Sequence, residues 1–197
     1  DKPRSLVVEQ LMATAFQAHP YRRPVIGWMS DLENMTAQDA RDWYQRWYVP
    51  NNATLVVVGD VDHQAVFKEA AATYGRVKAR PLPVRKPLIE PEQTGSRRTV
   101  VKAPAELPYV ALAWRVPSLR DVKADSDFYS LQVLAAVLDG YEGARLSKNI
   151  VRGSRIAVTA GAGCDGTARG ESLFYLDGAP AAGRTPADVE AALKAEI

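Results

Sequence analysis

The chain has few of the side chains that hold metals or form cross-links. Its 197 residues include one cysteine and two histidines. A lone thiol cannot close an internal disulfide, so the sequence carries no sign of its redox compartment. A zinc hydrolase needs about three protein ligands and an open position for water. The compact helical spacings that supply them, His-Glu-x-x-His and His-x-x-Glu-His, are both missing. His19 and His63 stand far apart, and each is expected to be a solvated or hydrogen-bonding residue. No catalytic residue and no metal ligand is therefore assigned. No apolar run approaches the roughly 20 residues needed to cross a bilayer, so no membrane span is expected. No Gly-x-Ser-x-Gly elbow occurs, which leaves a serine hydrolase unsupported. Charge of one sign is also scarce: 25 Lys and Arg face 23 Asp and Glu, for a net +2. The basic residues are spread out, unlike the clustered face that binds nucleic acid. The pairs Arg22-Arg23 and Arg97-Arg98 are isolated and read as solvated surface or local ion pairs.

The remaining composition, 47% hydrophobic and 24% charged, is that of a globular chain. Its length suits one large domain or two small ones. The first residues lack Met and any signal-type segment, and Ile197 falls inside a helical pattern. The chain is thus expected to be a piece of a longer protein.

Periodicity places helices over 5–18, 36–48, 63–74, 125–138, 144–151 and 185–197. Thr36 with Asp39 reads as a helix start, and so does Thr185-Pro186-Ala187-Asp188. Trp43, Trp47, Tyr44 and Tyr48 form an aromatic stripe at helical spacing, expected to be core. Phe67 and Tyr74 are expected to face inward on the 63–74 helix. Pro50-Asn51-Asn52 is a turn sequence. The run Thr54–Val58 reads as a strand buried on both faces. A short strand is expected over 99–102, and alternating strands over 110–116 and 156–164, followed by a strand at 173–176. The order strand, Gly59-Asp60, helix is echoed by strand, Asp177-Gly178 turn, helix. Four prolines between Lys78 and Gly95 read as a linker.

Two features invite chemistry and are set aside. Gly161-Ala162-Gly163-Cys164-Asp165-Gly166 matches Gly-x-Gly-x-x-Gly. A dinucleotide site needs that turn to open a helix, whereas a second strand follows, so a hairpin is expected. Cys164 lies on an alternating strand, where a small buried filler is the expected role.

The segment His19-Pro20-Tyr21-Arg22-Arg23-Pro24-Val25-Ile26-Gly27, the helix over 36–48 and Pro50-Asn51-Asn52-Ala53-Thr54-Leu55-Val56-Val57-Val58-Gly59-Asp60 together resemble the M16 (pitrilysin/insulinase) family of zinc metallopeptidases. Loop, helix and strand agree with that family in order and spacing. Leu138-Asp139-Gly140, Ala144-Arg145-Leu146 and Val151-Arg152 are similar to motifs of its second domain. The resemblance implies an α+β fold of two consecutive M16-type units, with helices packed on mainly antiparallel sheets and the N-terminal unit incomplete. Residues 1–77 would close the first domain, 78–95 would link, and 96–197 would be most of the second, truncated at its C-terminus. The family's zinc motif and third ligand lie upstream of such a stretch. The resemblance therefore implies a zinc-dependent metalloendopeptidase parent that degrades or processes peptides. This fragment would be inactive alone and metal-free, supplying chamber wall rather than the zinc site. A zinc-less M16 partner subunit or scaffold is the alternative.

In the family's second domain an arginine and a following Gly-Leu-Ala-Tyr help hold substrate backbone. The equivalent run here is Arg152-Gly153-Ser154-Arg155-Ile156-Ala157-Val158. Arg152 is the one substrate-binding candidate, while Val158 replaces the tyrosine and cannot donate to a peptide carbonyl. A second M16 subunit supplying the missing pair, or a homodimer, is implied. A periplasmic parent is expected, with a cytoplasmic one as the alternative.

Overall fold

A computed structural model describes residues 2–197. The described residues divide into two compact units, one of residues 2–25 with 88–197, the other of residues 26–87.

The larger unit is built on a three-stranded antiparallel sheet. Its strands are β1 (Val110–Val116), β2 (Ala157–Cys164) and β3 (Ser172–Pro180), in the order β1-β3-β2. Because side chains alternate along a strand, the register stacks Leu112, Leu176 and Ala162 on one face. Helices α5 (Ser126–Asp139) and α6 (Pro186–Ala195) and a π-helix (Ser147–Gly153) supply the opposing apolar groups. Leu138, Leu146, Ile150, Phe174, Leu176, Val189 and Leu193 close into one buried cluster. This is an α+β arrangement, with α5, α6 and the π-helix packed on that face of the antiparallel sheet.

Local chemistry sets the helix limits. Thr185 Oγ1 accepts the Asp188 amide at 3.2 Å, and the Asp188 carboxylate accepts the Thr185 amide at 2.8 Å. This reciprocal box starts α6 as the sequence predicts. Gly178 lies within β3, so the expected turn at Asp177-Gly178 is not there. A Cβ at Gly178 would stand 2.9 Å from the Thr159 carbonyl oxygen and 3.0 Å from Val189 Cγ1. The glycine thus marks close approach of β2 and α6, which in sequence looks like turn chemistry.

Helix α1 (Pro3–Ala15) belongs to this unit and ends earlier than its apolar pattern suggests. Arg4 lies over the Tyr109 ring at 4.8 Å. Arg97 donates to the Thr14 carbonyl at 2.9 Å and covers the other end. Beyond Ala15 the backbone N–H groups turn to Glu90 instead of continuing the helix.

The smaller unit is helical: α2 (Met29–Glu33), α3 (Ala37–Trp47) and α4 (His63–Thr73). Thr36 and Asp39 form the second capping box, at α3. Asn51 holds the turn by exchanging two hydrogen bonds with the Arg80 backbone, at 2.9 and 3.2 Å.

Several sequence expectations fail here. Thr54–Val58 is not a strand, and Val58 is 92% exposed. Among the described residues this unit contains no strand, and β propensity without a ladder partner does not make one. The 99–102 segment likewise pairs with no neighbour. The aromatic stripe is not core: Trp43 is 58% exposed, and Tyr44 and Tyr48 are equally open. Three helices offer too little surface to cover it, so the rings pair with each other. Trp43 and Trp47 centroids lie 5.6 Å apart, and Tyr44 and Tyr48 stack at 4.7 Å. Phe67 and Tyr74 are exposed for the same reason.

Leu176 is fully buried at the centre of β3. Leu176→Ala is expected to lower unfolding free energy by about 2–5 kcal/mol. Val58→Thr should stay within about 0.5 kcal/mol of the parent. Urea denaturation followed by circular dichroism checks both.

Candidate functional site

Two constellations in the larger unit carry concentrated polar chemistry. The first centres on Glu90, whose side chain is 1% exposed. Its carboxylate accepts the backbone N–H groups of Gln17, Ala18 and His19 at 2.6, 2.8 and 2.8 Å. Arg115 from β1 lies 3.5 Å away, and also reaches Glu171 at 3.4 Å and the Pro91 carbonyl at 2.9 Å. Burial pushes the Glu90 carboxyl upward, but the three N–H donors and the Arg115 charge outweigh it and hold it below its ordinary value.

This clasp fixes the loop that follows α1. Tyr21 accepts the Arg169 amide at 2.9 Å. His19 accepts the Tyr21 amide through Nδ1 at 3.3 Å, and its ring packs against Phe16 and Tyr21. Nε2 faces Gly170, where even a Cβ would approach within 2.1 Å. His19 is thus a packing and hydrogen-bonding residue. In the other unit, His63 opens α4, beside Gln64 and against the Phe67 ring. Among the described residues no group of three or more His, Cys, Asp or Glu could hold a metal ion.

The second constellation is an open recess of about 460 Å³ lined by Val151, Arg152, Arg155, Ala157, Val158 and Ala181. Arg152 projects from the π-helix and donates to the Glu142 carbonyl at 2.5 Å. Arg155 follows the helix with φ +52°, the one non-glycine residue with positive φ among those described. A side chain there costs roughly 1–2 kcal/mol relative to ordinary backbone. The structure therefore brings the sequence candidate Arg152 together with Val158, the position where the resemblance leads one to look for tyrosine. Arg155 carries no mark in the sequence; its positive φ shows only in the structure.

The other sequence motifs resolve simply. Residues 161–166 run from β2 into the turn before β3, and no helix follows. The dinucleotide geometry is absent there, as expected from sequence. Cys164 is half-buried at the end of β2. Burial, then the neighbouring Asp165 charge, pushes its thiol up, opposite to what a nucleophile needs.

The family profile described as "Peptidase M16 inactive domain" matches residues 34–197. The chain belongs to the peptidase M16 family. It is 32% identical to the zinc protease PqqE of Helicobacter pylori over 166 residues, 81% of this chain and 36% of that protein. The crystal structure of a protease from Helicobacter pylori superposes with a TM-score of 0.87 at 27% identity, covering 98% of this chain and 46% of that one. The periplasmic protease PqqL from Escherichia coli shares the fold, with a TM-score of 0.70 at 18% identity over 98% of this chain and 21% of its own. The M16 chain described here thus spans between about a fifth and a half of the relatives named.

The Glu90 clasp predicts a pH-dependent stability. A carboxyl held below its ordinary value of 4.5 stabilises the fold above that pH, and the contribution fades as pH falls through the folded value. Glu90→Ala should cost about 3 kcal/mol near neutrality. The difference from wild type should shrink as pH falls below about 4.5. Urea unfolding of both proteins from pH 7 to 3 measures it.

Proposed function

We propose that this chain is part of a zinc-dependent metalloendopeptidase that degrades or processes peptides, and that it forms wall of a peptide-enclosing chamber. The observation that carries this reading is the likeness, over nearly the whole chain, to the Helicobacter pylori protease structure. Identity to a zinc protease of the same organism supports it. In this reading residues 1–77 close a first M16-type domain, 78–95 link, and 96–197 form most of a second. Arg152 contacts the backbone of bound peptide, offering donors beyond the one used on Glu142. The described residues do not fit a zinc site. The zinc would be held by other parts of the whole protein, and this chain alone would be inactive. We place the whole protein in the periplasm, by analogy with the Escherichia coli protease.

One observation favours a second reading. The matching family profile is described as the inactive domain. A zinc-less M16 subunit that completes a catalytic partner would carry the same fold.

The test uses the full-length protein, purified alone and with any co-encoded M16 homologue. Under the first reading it binds stoichiometric zinc, cleaves an unstructured peptide and loses that activity to a chelator. Arg152→Gln should then lower kcat/KM about tenfold with zinc content unchanged. A full-length protein without zinc, raising the activity of its partner, would establish the second reading instead.

A further inference from the structure

Arg152 and Arg155 share one recess, and its remaining lining is aliphatic: Val151, Ala157, Val158 and Ala181. None of the ion pairs among the described residues uses either guanidinium. Among the described residues the Arg152 side chain has one polar partner, the Glu142 carbonyl, and the Arg155 side chain has none. Both side chains are exposed, so the two like charges repel only weakly through water, and an anion placed between them turns that repulsion into attraction. A guanidinium presents a planar fork of donors that matches a carboxylate. We propose that this recess binds a peptide carboxylate, with Arg152 and Arg155 on its oxygens and an adjoining aliphatic side chain on the Val151, Ala157 and Val158 surface. The carboxylate is that of a peptide's C-terminus or of an acidic residue within it. Either would make this recess a selector among peptides, in addition to the backbone contact assigned to Arg152. Arg155 is the specificity-determining residue. Its left-handed backbone is where glycine is usual, so the arginine is held there against a local preference.

This inference rests on the reading that the protein handles peptides, and its test needs neither zinc nor turnover. The full-length protein is titrated, with fluorescence anisotropy, against a labelled peptide ending in Ala-Val with a free carboxylate. The same peptide as its C-terminal amide, and an amide with an internal Asp beside Val, are the comparisons. The free acid, the Asp peptide or both should bind about tenfold tighter than the plain amide. A gain confined to the free acid assigns the site to chain ends, and a gain with Asp assigns it to acidic side chains. Arg155→Gln should abolish the gain. Arg155→Gly, which relaxes the backbone, should abolish it too, and Arg155→Lys should keep part of it. Equal binding of all three peptides would overturn the proposal. So would a preference that survives in both Arg155→Gln and Arg155→Gly. Loss of peptide cleavage with an intact carboxylate preference would count against the protease reading alone.

Discussion

A single buried carboxylate organises the larger unit. Removing Glu90 from water without partners would cost several kcal/mol. Three successive backbone N–H groups and the Arg115 guanidinium offset that cost. The same bonds end α1, because amides directed at a carboxylate cannot continue a helix. With α1 ended, the loop carries Tyr21 onto the Arg169 amide and His19 against Gly170. Segments near residues 17, 90, 115 and 170 are thereby joined around one negative charge. The apolar cluster forms the core, and Glu90 fixes the loop after α1 against Arg169 and Gly170.

The two units contrast in what they bury. In the larger one, the strand alternation finds helices to face, and residues such as Leu138, Leu146, Leu176 and Leu193 leave solvent entirely. The smaller unit carries as strong a set of apolar signals, yet Trp43, Tyr44, Phe67 and Val58 remain open. Its helices are set by local chemistry, the Thr36–Asp39 box and the Asp62 cap. Capping fixes where a helix starts but not what covers it.

That contrast explains what was legible in the sequence. The helix starts at Thr36, Asp62 and Thr185 were readable because their partners lie two or three residues away. The helix α5 followed from its period, as did β1 and the β2–β3 hairpin. The family was legible too, in motifs spread over most of the chain. Thr54–Val58 was misread because a ladder needs a second strand that propensity cannot report. Glu90 was invisible in a proline-rich stretch, since its donors are more than 70 residues away. Arg155 gave no periodic signal, because a positive φ leaves none outside glycine. Arg152 and Val158 were paired on resemblance alone, and the recess supplies the spatial side of that pairing.

The strand order has a consequence for biosynthesis. β3 is the central strand of the sheet and the last of the three to be made. As the polypeptide leaves the ribosome, β1 has no antiparallel neighbour until residues 172–180 emerge, and β2 gains its own at the same moment. Both strand pairings of this sheet therefore wait for β3. Any nascent chain stalled before residue 172 exposes two incomplete edges, a natural substrate for chaperones that shield unpaired backbone.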